Sequence, residues 1–267
     1  MISTKKFQNT IWSHYKKHKR DLPWRKTKDP YKILVSEIML QQTQAFRVVP
    51  KYESFLKKFP TVDVLARATL KDVLREWQGL GYNRRALYLK QCAEVLMKNF
   101  GGKFPKDFDT LISLPGIGPA TAGDLMVFAW NIPVVVIETN IRSVFIHFFF
   151  KNKKKVHDKE ILPLIEKTLD TENPREWYWA LFDYGAFLKK KINPSRKSIH
   201  YTKQAQFNGS YRQKRAEILR LILAENSSKI AIQKVLKYES NVISEILLDL
   251  EREGFVRKNN QKLYKII

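Results

Sequence analysis

The chain has few of the residues that build covalent or metal cross-links. Cys92 is the single cysteine among 267 residues. One thiol can form neither an internal disulfide nor the set of cysteine ligands that a metal or an iron–sulfur cluster requires. The five histidines are interpreted as scattered, without a ligand spacing such as HxxxH. We therefore expect a protein without cofactors, without a metal site and without an iron–sulfur cluster.

Long apolar stretches are also missing. The sequence contains no run of about 18 apolar residues, the length that a membrane-spanning helix needs. The N-terminal stretch MISTKKFQNTIW lacks the apolar core of a secretion signal. These two absences predict an intracellular protein with no membrane partner.

Acidic residues are scarce relative to basic ones. The chain has 26 Asp and Glu against 49 Lys and Arg, a formal net charge of +23. Such an excess predicts a polyanionic partner, with nucleic acid first and an anionic membrane surface second. The length of 267 residues and a hydrophobic content of 44% are sufficient for one or two globular domains.

The clearest local motif is LISLPGIGPATAG at residues 111–123. Pro115 ends a helix because it lacks an N–H donor, and Gly116 and Gly118 allow the positive φ of a tight turn. Pro119 suits the first position of a following helix, whose free N–H groups and dipole favour a bound phosphate. An ordinary connection between two helices is the alternative for this motif taken alone.

Glu37 is the first of two carboxyl groups in unusual positions. The pair Asp29-Pro30 predicts the start of a helix with the sequence YKILVSEIMLQQTQ, in which Glu37 lies among apolar residues. Glu37 is either an acid with a perturbed pKa or a side chain that points to solvent or pairs with a basic residue. The spacing leaves both interpretations open.

Glu138 is the second such carboxyl group. It follows the extended run PVVVI at residues 133–137 and precedes a helix predicted over residues 141–150. At a helix N-terminus the dipole favours the ionised form of a carboxyl group. The alternative is an ordinary capping residue.

The remaining part of the first two hundred residues is mainly helical. An amphipathic helix is predicted over residues 5–20, and three more helical patterns lie within residues 46–100. Tyr82 stands beside Arg84 and Arg85, a combination that suits stacking on bases and neutralising phosphates. A surface helix start is the competing interpretation.

The pattern changes after a basic, polar stretch at residues 189–206 that looks like a strap or linker. The predicted elements there are helices over 210–224, 229–236 and 241–252 and strands over 254–258 and 262–266. Three helices followed by a β-hairpin is the order of a winged helix. We therefore predict two domains, residues 1–206 and residues 207–267.

The motifs coincide with those of a known family. They are LPWRKTKDPYKILVSEIMLQQTQ, FPTVDVLA, WQGLGYNRRA, GGKFP, LPGIGPATAG and ETNIRSV, in one order over residues 7–188. With this set the chain resembles the helix-hairpin-helix DNA glycosylases, and within them the MutY-type adenine glycosylases. The resemblance implies an all-α, two-lobed fold with a cleft between the lobes, here followed by the small winged-helix-like domain.

The resemblance also implies roles for the two carboxyl groups. Glu37 occupies the position of the general acid that protonates the departing base, and Glu138 that of a second carboxylate, normally Asp. Asn140 matches the Asn that positions this carboxylate. Base excision needs a proton donor and a negative charge beneath an oxocarbenium-like sugar, so one buried and one ionised carboxyl group suit this reaction.

Further candidate residues bind DNA or the flipped base. The DNA-binding candidates are Gln41, Gln42, Thr43, Tyr82, Arg84, Arg85, Gly116 and Gly118, and the base-pocket candidates are Trp24, Arg25, Ala120 and Trp179. By resemblance, Gln41, Gln42 and Tyr82 enter the duplex, while Thr43 and Tyr82 lie near the orphan base. The expected partner is double-stranded DNA with a damaged or mispaired base, bound by a cytoplasmic, nucleoid-associated monomer.

The chain departs from the family at several positions. It lacks the four cysteines that commonly follow the sixth helix, and it has Glu138 in place of Asp. Ala120 replaces a hydroxyl-bearing residue or the lysine of bifunctional relatives, and Trp179 replaces the Glu or Gln that reads adenine.

These residues predict a monofunctional DNA glycosylase that excises adenine opposite 8-oxoguanine or guanine. One alternative is a glycosylase for another base, such as uracil, thymine in a T·G mispair or hypoxanthine. The other is a non-catalytic DNA-binding protein, against which the retention of both carboxyl groups argues.

Overall fold

The computed structural model describes residues 2–267, which divide into two compact units. The first unit contains the chain up to Glu37 and residues 105–203, and the second contains residues 38–104 and 204–267. Each unit is therefore assembled from two separate stretches of sequence. No helix in the described part of the chain is long and apolar enough to cross a membrane.

The first unit consists of α-helices and two short 3₁₀ helices, at Pro23–Lys26 and Pro194–Lys197. Its α-helices are α1 (Thr4–His18), most of α2 (Pro30–Leu40), α7 (Phe108–Ser113), α8 (Pro119–Trp130), α9 (Thr139–Phe149), α10 (Asp158–Thr168) and α11 (Pro174–Lys191). The Asp29 carboxylate accepts a hydrogen bond from the backbone N–H of Tyr31 at 2.9 Å, which confirms the predicted start of α2.

Aromatic side chains fill the core of this unit. The Phe7 ring on α1 lies 5.3 Å from the Phe145 ring on α9 and 6.0 Å from the Trp177 ring on α11, measured between centroids. All three side chains are fully buried. Buried aromatic contacts of this kind hold α1, α9 and α11 together through both area burial and edge-to-face attraction.

The second unit is also mainly helical. It contains α3 (Ala45–Lys58), α4 (Val62–Arg67), α5 (Leu70–Trp77), α6 (Arg84–Phe100), α12 (Tyr211–Ala224), α13 (Lys229–Leu236) and α14 (Ser240–Arg252). The sequence predicted three helices where α3–α6 are four. The prediction missed the boundary between α4 and α5. Thr69 caps the start of α5 there, because its hydroxyl accepts a hydrogen bond from the backbone N–H of Asp72 at 3.1 Å.

Helix α2 ends at Leu40, so the prediction that it continues to Gln44 is wrong. The Arg85 guanidinium donates to the backbone carbonyls of Ile38, Met39 and Gln41 at 2.8, 3.0 and 2.5 Å. A long-range side chain thus satisfies carbonyls that a continuing helix would use itself. Gln42 then adopts a left-handed conformation with φ 55°.

The C-terminal stretch has the predicted order of three helices and a hairpin. Strands β1 (Val256–Lys258) and β2 (Tyr264–Ile266) are shorter than predicted and pair antiparallel, with Arg257 opposite Lys265. Residues 204–267 form one compact unit with residues 38–104. The division into two domains, residues 1–206 and 207–267, stays a prediction from the sequence.

Candidate functional site

The hairpin between α7 and α8 lies where the sequence predicts it. Gly116 has a φ of 76°, which only glycine adopts easily, but Gly118 has a φ of −94° and is extended. Of the two glycines that allow a positive φ, only Gly116 therefore adopts one. Gly118 is the N-cap of α8 and provides no capping side chain, and Pro119 and Ala120 after it are exposed. Pro119 has no N–H group, so Ala120 provides the first N–H group of α8, and it lies at the surface as an anion site requires.

Glu138 is held at the N-terminus of α9 by three donors. Its Oε1 accepts from the backbone N–H groups of Asn140 and Ile141 at 2.7 and 2.9 Å, and its Oε2 accepts from Asn140 Nδ2 at 3.2 Å. Burial is the largest influence and raises the pKa of Glu138 above its ordinary value, while these donors and Arg142 oppose the rise. Burial, which the sequence pattern does not reveal, therefore acts against the helix dipole at Glu138.

Tyr178 on α11 fixes the extended run that leads into Glu138. Its hydroxyl accepts from the backbone N–H of Val136 at 2.9 Å and donates to the carbonyl of Val134 at 2.8 Å. An extended strand without a sheet partner has unsatisfied backbone groups, and one buried hydroxyl satisfies two of them here. No local sequence pattern indicates this contact, which joins residues 42 positions apart.

Helix α11 also approaches the start of α9 very closely at Gly185. A Cβ atom built at Gly185 would lie 2.4 Å from the carbonyl oxygen of Asn140 and 2.6 Å from its Cβ. Both are backbone or near-backbone atoms and cannot move aside. Glycine at this position therefore determines how near Asn140, and with it Glu138, lies to α11.

Glu37 is half-buried on α2. Burial raises its pKa to about 8, the charge of Glu138 adds to the rise, and Arg25 opposes it. A carboxyl group in this state keeps its proton near neutral pH. Of the two interpretations that the sequence left open, this favours an acid with a perturbed pKa.

Arg25 is positioned by a residue that the sequence analysis missed. Asp183 on α11 is buried and accepts two bonds from the Arg25 guanidinium, at 2.9 and 2.8 Å, and one from Arg20 Nε at 2.5 Å. Although burial raises the pKa of Asp183, the two arginines lower it overall. An aspartate within the apolar pattern of WYWALFDYGAFL was the available signal.

Two of the predicted base-pocket residues are in contact. The Arg25 guanidinium lies 5.5 Å from the centre of the Trp179 ring, which stacks on Phe128 at 5.9 Å with an interplanar angle of 14°. Trp24 is buried, and Ala120 is exposed at the start of α8. Trp179 therefore offers a rigid aromatic surface beside a fixed cation.

Asp124 is a third carboxyl group of this region that the sequence analysis missed. It lies on α8, four residues after Ala120, and is 7% exposed. Burial raises its pKa well above the ordinary value, and the charges of Glu37 and Glu138 add to the rise. An acidic residue within the apolar stretch TAGDLMVFAW could have identified it.

Tyr82 in the second unit is surrounded by polar and cationic side chains. Its hydroxyl accepts from Gln204 Nε2 and from Arg212 Nη1, and the Arg85 and Arg212 guanidinium carbons lie 5.4 and 5.5 Å from its ring centre. Tyr82 has a φ of 48° and is 36% exposed. We refer to Tyr82, Gln204, Arg85 and Arg212 as the Tyr82 cluster.

Arg84 and Arg85 next to Tyr82 are bonded to other parts of the protein, whereas the sequence suggested that they bind phosphates. Arg85 is buried and donates to Thr43 Oγ1 at 3.2 Å as well as to backbone carbonyls, so we assign it a structural role. Arg84 binds Glu253 with two hydrogen bonds, at 3.0 and 2.5 Å, and Arg215 binds the same carboxylate. Gln42 is exposed in the turn after α2.

Residues 2–267 contain no group of three His, Cys, Asp or Glu side chains arranged to hold a metal ion. The interpretation that the histidines have no HxxxH spacing is wrong, because His14 and His18 have it and their rings lie 4.9 Å apart on α1. Cys92 is buried on α6 and has no second thiol to join it in binding a cluster. The residues present therefore do not fit a cysteine-ligated iron–sulfur cluster.

Comparison with known proteins gives consistent matches. The family described as "HhH-GPD superfamily base excision DNA repair protein" matches residues 35–168, which include Glu37, the hairpin and Glu138. The adenine DNA glycosylase of Buchnera aphidicola subsp. Baizongia pistaciae is 39% identical over 199 residues, 72% of this chain and 56% of that protein. The chain thus spans just over half the length of this relative.

Two further matches concern a different base. The thymine/uracil-DNA glycosylase of Methanothermobacter thermautotrophicus is 29% identical over 188 residues, 69% of this chain and 85% of that protein. The structure of a thermostable thymine-DNA glycosylase matches with a TM-score of 0.63 and 26% identity, covering 73% of this chain and 94% of the other. With the hairpin and its flanking carboxyl groups in place, the chain belongs to the HhH-GPD superfamily of base excision DNA repair proteins.

Proposed function

We propose that this protein is a monofunctional DNA glycosylase that excises adenine opposite 8-oxoguanine or guanine. The observation that carries the proposal is the pair Glu37 and Glu138. Burial and the neighbouring charge raise the pKa of Glu37 to about 8, so it holds a proton. Glu138 accepts three N–H donors, which stabilise a negative charge.

The pair divides the reaction between an acid and an anion. A base flipped from the duplex receives the Glu37 proton as the glycosidic bond breaks and its electron pair leaves with the base. The Glu138 carboxylate then stabilises the oxocarbenium-like sugar until water adds to the sugar carbon and releases a proton. Ala120 has no amine with which to form a Schiff base, which supports hydrolysis without strand cleavage.

The charge and the hairpin support duplex DNA as the partner. The net charge of +23 favours any polyanion, and the open N–H groups at the start of α8 suit a phosphate. Phosphate contacts position a protein on the duplex without selecting the base. The choice of base therefore rests on the pocket residues.

A second candidate is excision of thymine or uracil mispaired with guanine. Trp179 stands where relatives of the MutY type have the residue that reads adenine, and it stacks on Phe128 beside Arg25. An indole offers one N–H donor and no acceptor, so it cannot replace the carboxylate or amide of an adenine reader. The similarity to the thymine/uracil-DNA glycosylase favours the same candidate.

A panel of labelled duplexes tests the choice. The duplexes contain A·8-oxoG, A·G, T·G, U·G or hypoxanthine, and strand scission is measured with and without alkali under single-turnover conditions. We expect scission of the adenine strand opposite 8-oxoguanine, only after alkali. Scission of the T·G or U·G duplexes alone would show that the substrate is a pyrimidine and not adenine. Lesion binding without any scission would indicate a non-catalytic DNA-binding protein.

Three further expectations belong to this proposal. Residues 207–267 form a winged-helix-like domain, the protein is a cytoplasmic, nucleoid-associated monomer, and it folds without an iron–sulfur cluster because Cys92 stands alone. Iron analysis and the visible absorbance of the purified protein test the last point. Stoichiometric iron would contradict it.

A further inference from the structure

Asp124 occupies a position that lowers stability. Its side chain is 7% exposed on the apolar helix α8, and among residues 2–267 its Oδ1 has no hydrogen-bond partner. A buried polar atom without a partner costs free energy that an apolar side chain of similar size would not cost. Packing alone therefore gives no reason for an aspartate here.

The ionisable groups that interact with Asp124 lie on three other elements. They are Glu37 of α2, Glu138 at the start of α9 and Tyr178 of α11, each of which interacts electrostatically with the Asp124 carboxyl group. The Tyr178 hydroxyl is already bonded on both sides to the backbone of residues 134 and 136. The cations nearby, Arg25 and Arg142, act on Glu37 and Glu138.

These surroundings keep a proton on Asp124. Burial and the charges of Glu37 and Glu138 all raise the pKa of Asp124, so Asp124 holds its proton when Glu37 is charged. A protonated carboxyl group has an O–H donor, and the acceptors that face it are the other two carboxyl groups.

We propose that Asp124 is a third carboxyl group of this site, a positioning residue whose O–H donates to the Glu37 carboxylate that forms as the base departs. The inference rests on the proposed function. When Glu37 gives its proton to the base, two carboxylates, Glu37 and Glu138, share a poorly solvated site. A neutral donor beside Glu37 stabilises this charge, and no proton needs to leave Asp124.

Two substitutions separate this role from simple packing. Asp124→Leu removes the donor and keeps an apolar side chain of similar size, whereas Asp124→Asn keeps an N–H donor in the same shape. We expect Asp124→Leu to lower single-turnover excision by about 10²-fold, the size seen when one donor to a reacting anion is lost. Asp124→Asn keeps excision within about threefold because its amide still donates.

The pH profile gives a readout that packing would not change. Without the Asp124 donor Glu37 is a weaker acid, so the alkaline limb of kcat/KM moves to higher pH in Asp124→Leu and stays in place in Asp124→Asn. Wild-type excision or an unchanged alkaline limb in Asp124→Leu would overturn the proposal. A loss in Asp124→Asn equal to that in Asp124→Leu would overturn it as well.

Titration of the Glu37 carboxyl carbon by carbon-13 NMR separates this inference from the proposed function, since it needs no substrate. We expect a higher Glu37 pKa in full-length Asp124→Leu than in the wild type, and an unchanged one in Asp124→Asn. A wild-type protein that excises no base would contradict the proposed function, whatever the titration shows. A Glu37 pKa that Asp124→Leu leaves unchanged would overturn the role of Asp124, whatever the excision assay shows.

Discussion

Three carboxyl groups in the first unit contrast with one carboxyl group in the second. In the first unit, burial raises the pKa values of Glu37, Asp124 and Glu138. In the second unit, burial also acts on Glu253, but the hydrogen bonds from Arg84 and Arg215 outweigh it and lower the pKa. Asp183 of the first unit belongs with Glu253, because the Arg20 and Arg25 guanidinium groups lower its pKa in spite of burial.

This difference distinguishes carboxyl groups that suit catalysis from those that stabilise the fold. Burial raises the pKa of Glu37 to about 8, so this group can carry a proton near neutral pH, which acid catalysis needs and stability does not. A carboxylate bound by two guanidinium groups is fixed in charge and geometry, which suits the anchoring of one segment on another. Glu253 of the C-terminal stretch is bonded to Arg84 at the start of α6 in this second way.

The largest expected effect concerns the proton donor. Glu37→Gln keeps the shape of the side chain but holds no acidic proton, so we expect single-turnover excision to fall by about 10³-fold while lesion DNA is still bound. In the wild type, kcat/KM should fall at pH values above about 8, where Glu37 ionises. Alkali-dependent strand scission across a pH series measures both effects.

The matched control for this change is Glu53→Gln, which alters an exposed carboxyl group on α3. Stability gives a second check with the opposite sign. The folded state raises the pKa of Glu37 above its ordinary 4.5, so folding favours the protonated side chain. The folded protein therefore loses stability as the pH rises from 4.5 towards 8 and the unfolded chain gives up this proton first. Glu37→Gln should therefore melt at a higher temperature than the wild type near pH 8. A lower melting temperature there would contradict the raised pKa of Glu37.

The next effect concerns the position of the negative charge. Glu138→Asp keeps a carboxylate that can cap α9 but draws it back towards the backbone N–H groups of Asn140 and Ile141. A displacement of about one ångström costs up to ~10²-fold in rate, so we expect a loss of that order with the fold retained. Excision equal to or above that of the wild type would show that the site tolerates the shorter family residue.

A smaller effect is expected in the second unit, on stability alone. Glu253→Gln removes the charge that holds Arg84 and Arg215, and we expect the free energy of unfolding to fall by about 2 kcal/mol. Urea denaturation measures the loss, with Glu245→Gln, an exposed position on α14, as the control. Excision per folded molecule should not change; a specific loss of excision would place Glu253 in the functional site.

The smallest effect concerns the Tyr82 hydroxyl. Tyr82→Phe keeps the ring between the Arg85 and Arg212 guanidinium groups and removes the acceptor for Gln204 and Arg212. The expected loss is about 1 kcal/mol of unfolding free energy, the usual worth of a partly exposed hydrogen bond. If Tyr82→Phe instead weakens DNA binding tenfold without affecting stability, the hydroxyl belongs to the DNA contact and the contrast between the regions fails at this point.

The sequence was most informative where the signal is local. The hairpin at Pro115–Pro119, the cap at Asp29 and the position of Glu138 at a helix start each depend on residues a few positions apart. These three features were predictable from propensities and capping alone. The helical order of the C-terminal stretch followed from hydrophobic periodicity in the same way.

The missed features depend on contacts between distant parts of the chain. Arg85 ends α2 from 44 to 47 residues away, and Asp183 fixes Arg25 from 158 residues away. A pattern of a few neighbouring residues cannot predict such pairs, because each partner looks like an ordinary charged residue in its local sequence. Asp124 was different, since one acid in an apolar helix was visible but had no local partner to explain it.

The close approach at Gly185 makes the site sensitive to a residue that takes no part in any reaction. A single added methyl group there meets the carbonyl of Asn140, so α9 must shift away from α11 and carry Glu138 with it. Among natural variants of this gene, a Gly185→Ala allele would leave the hairpin, the net charge and every titrating group intact. Under the proposed function, such an allele would encode a protein that binds damaged DNA but excises the base slowly.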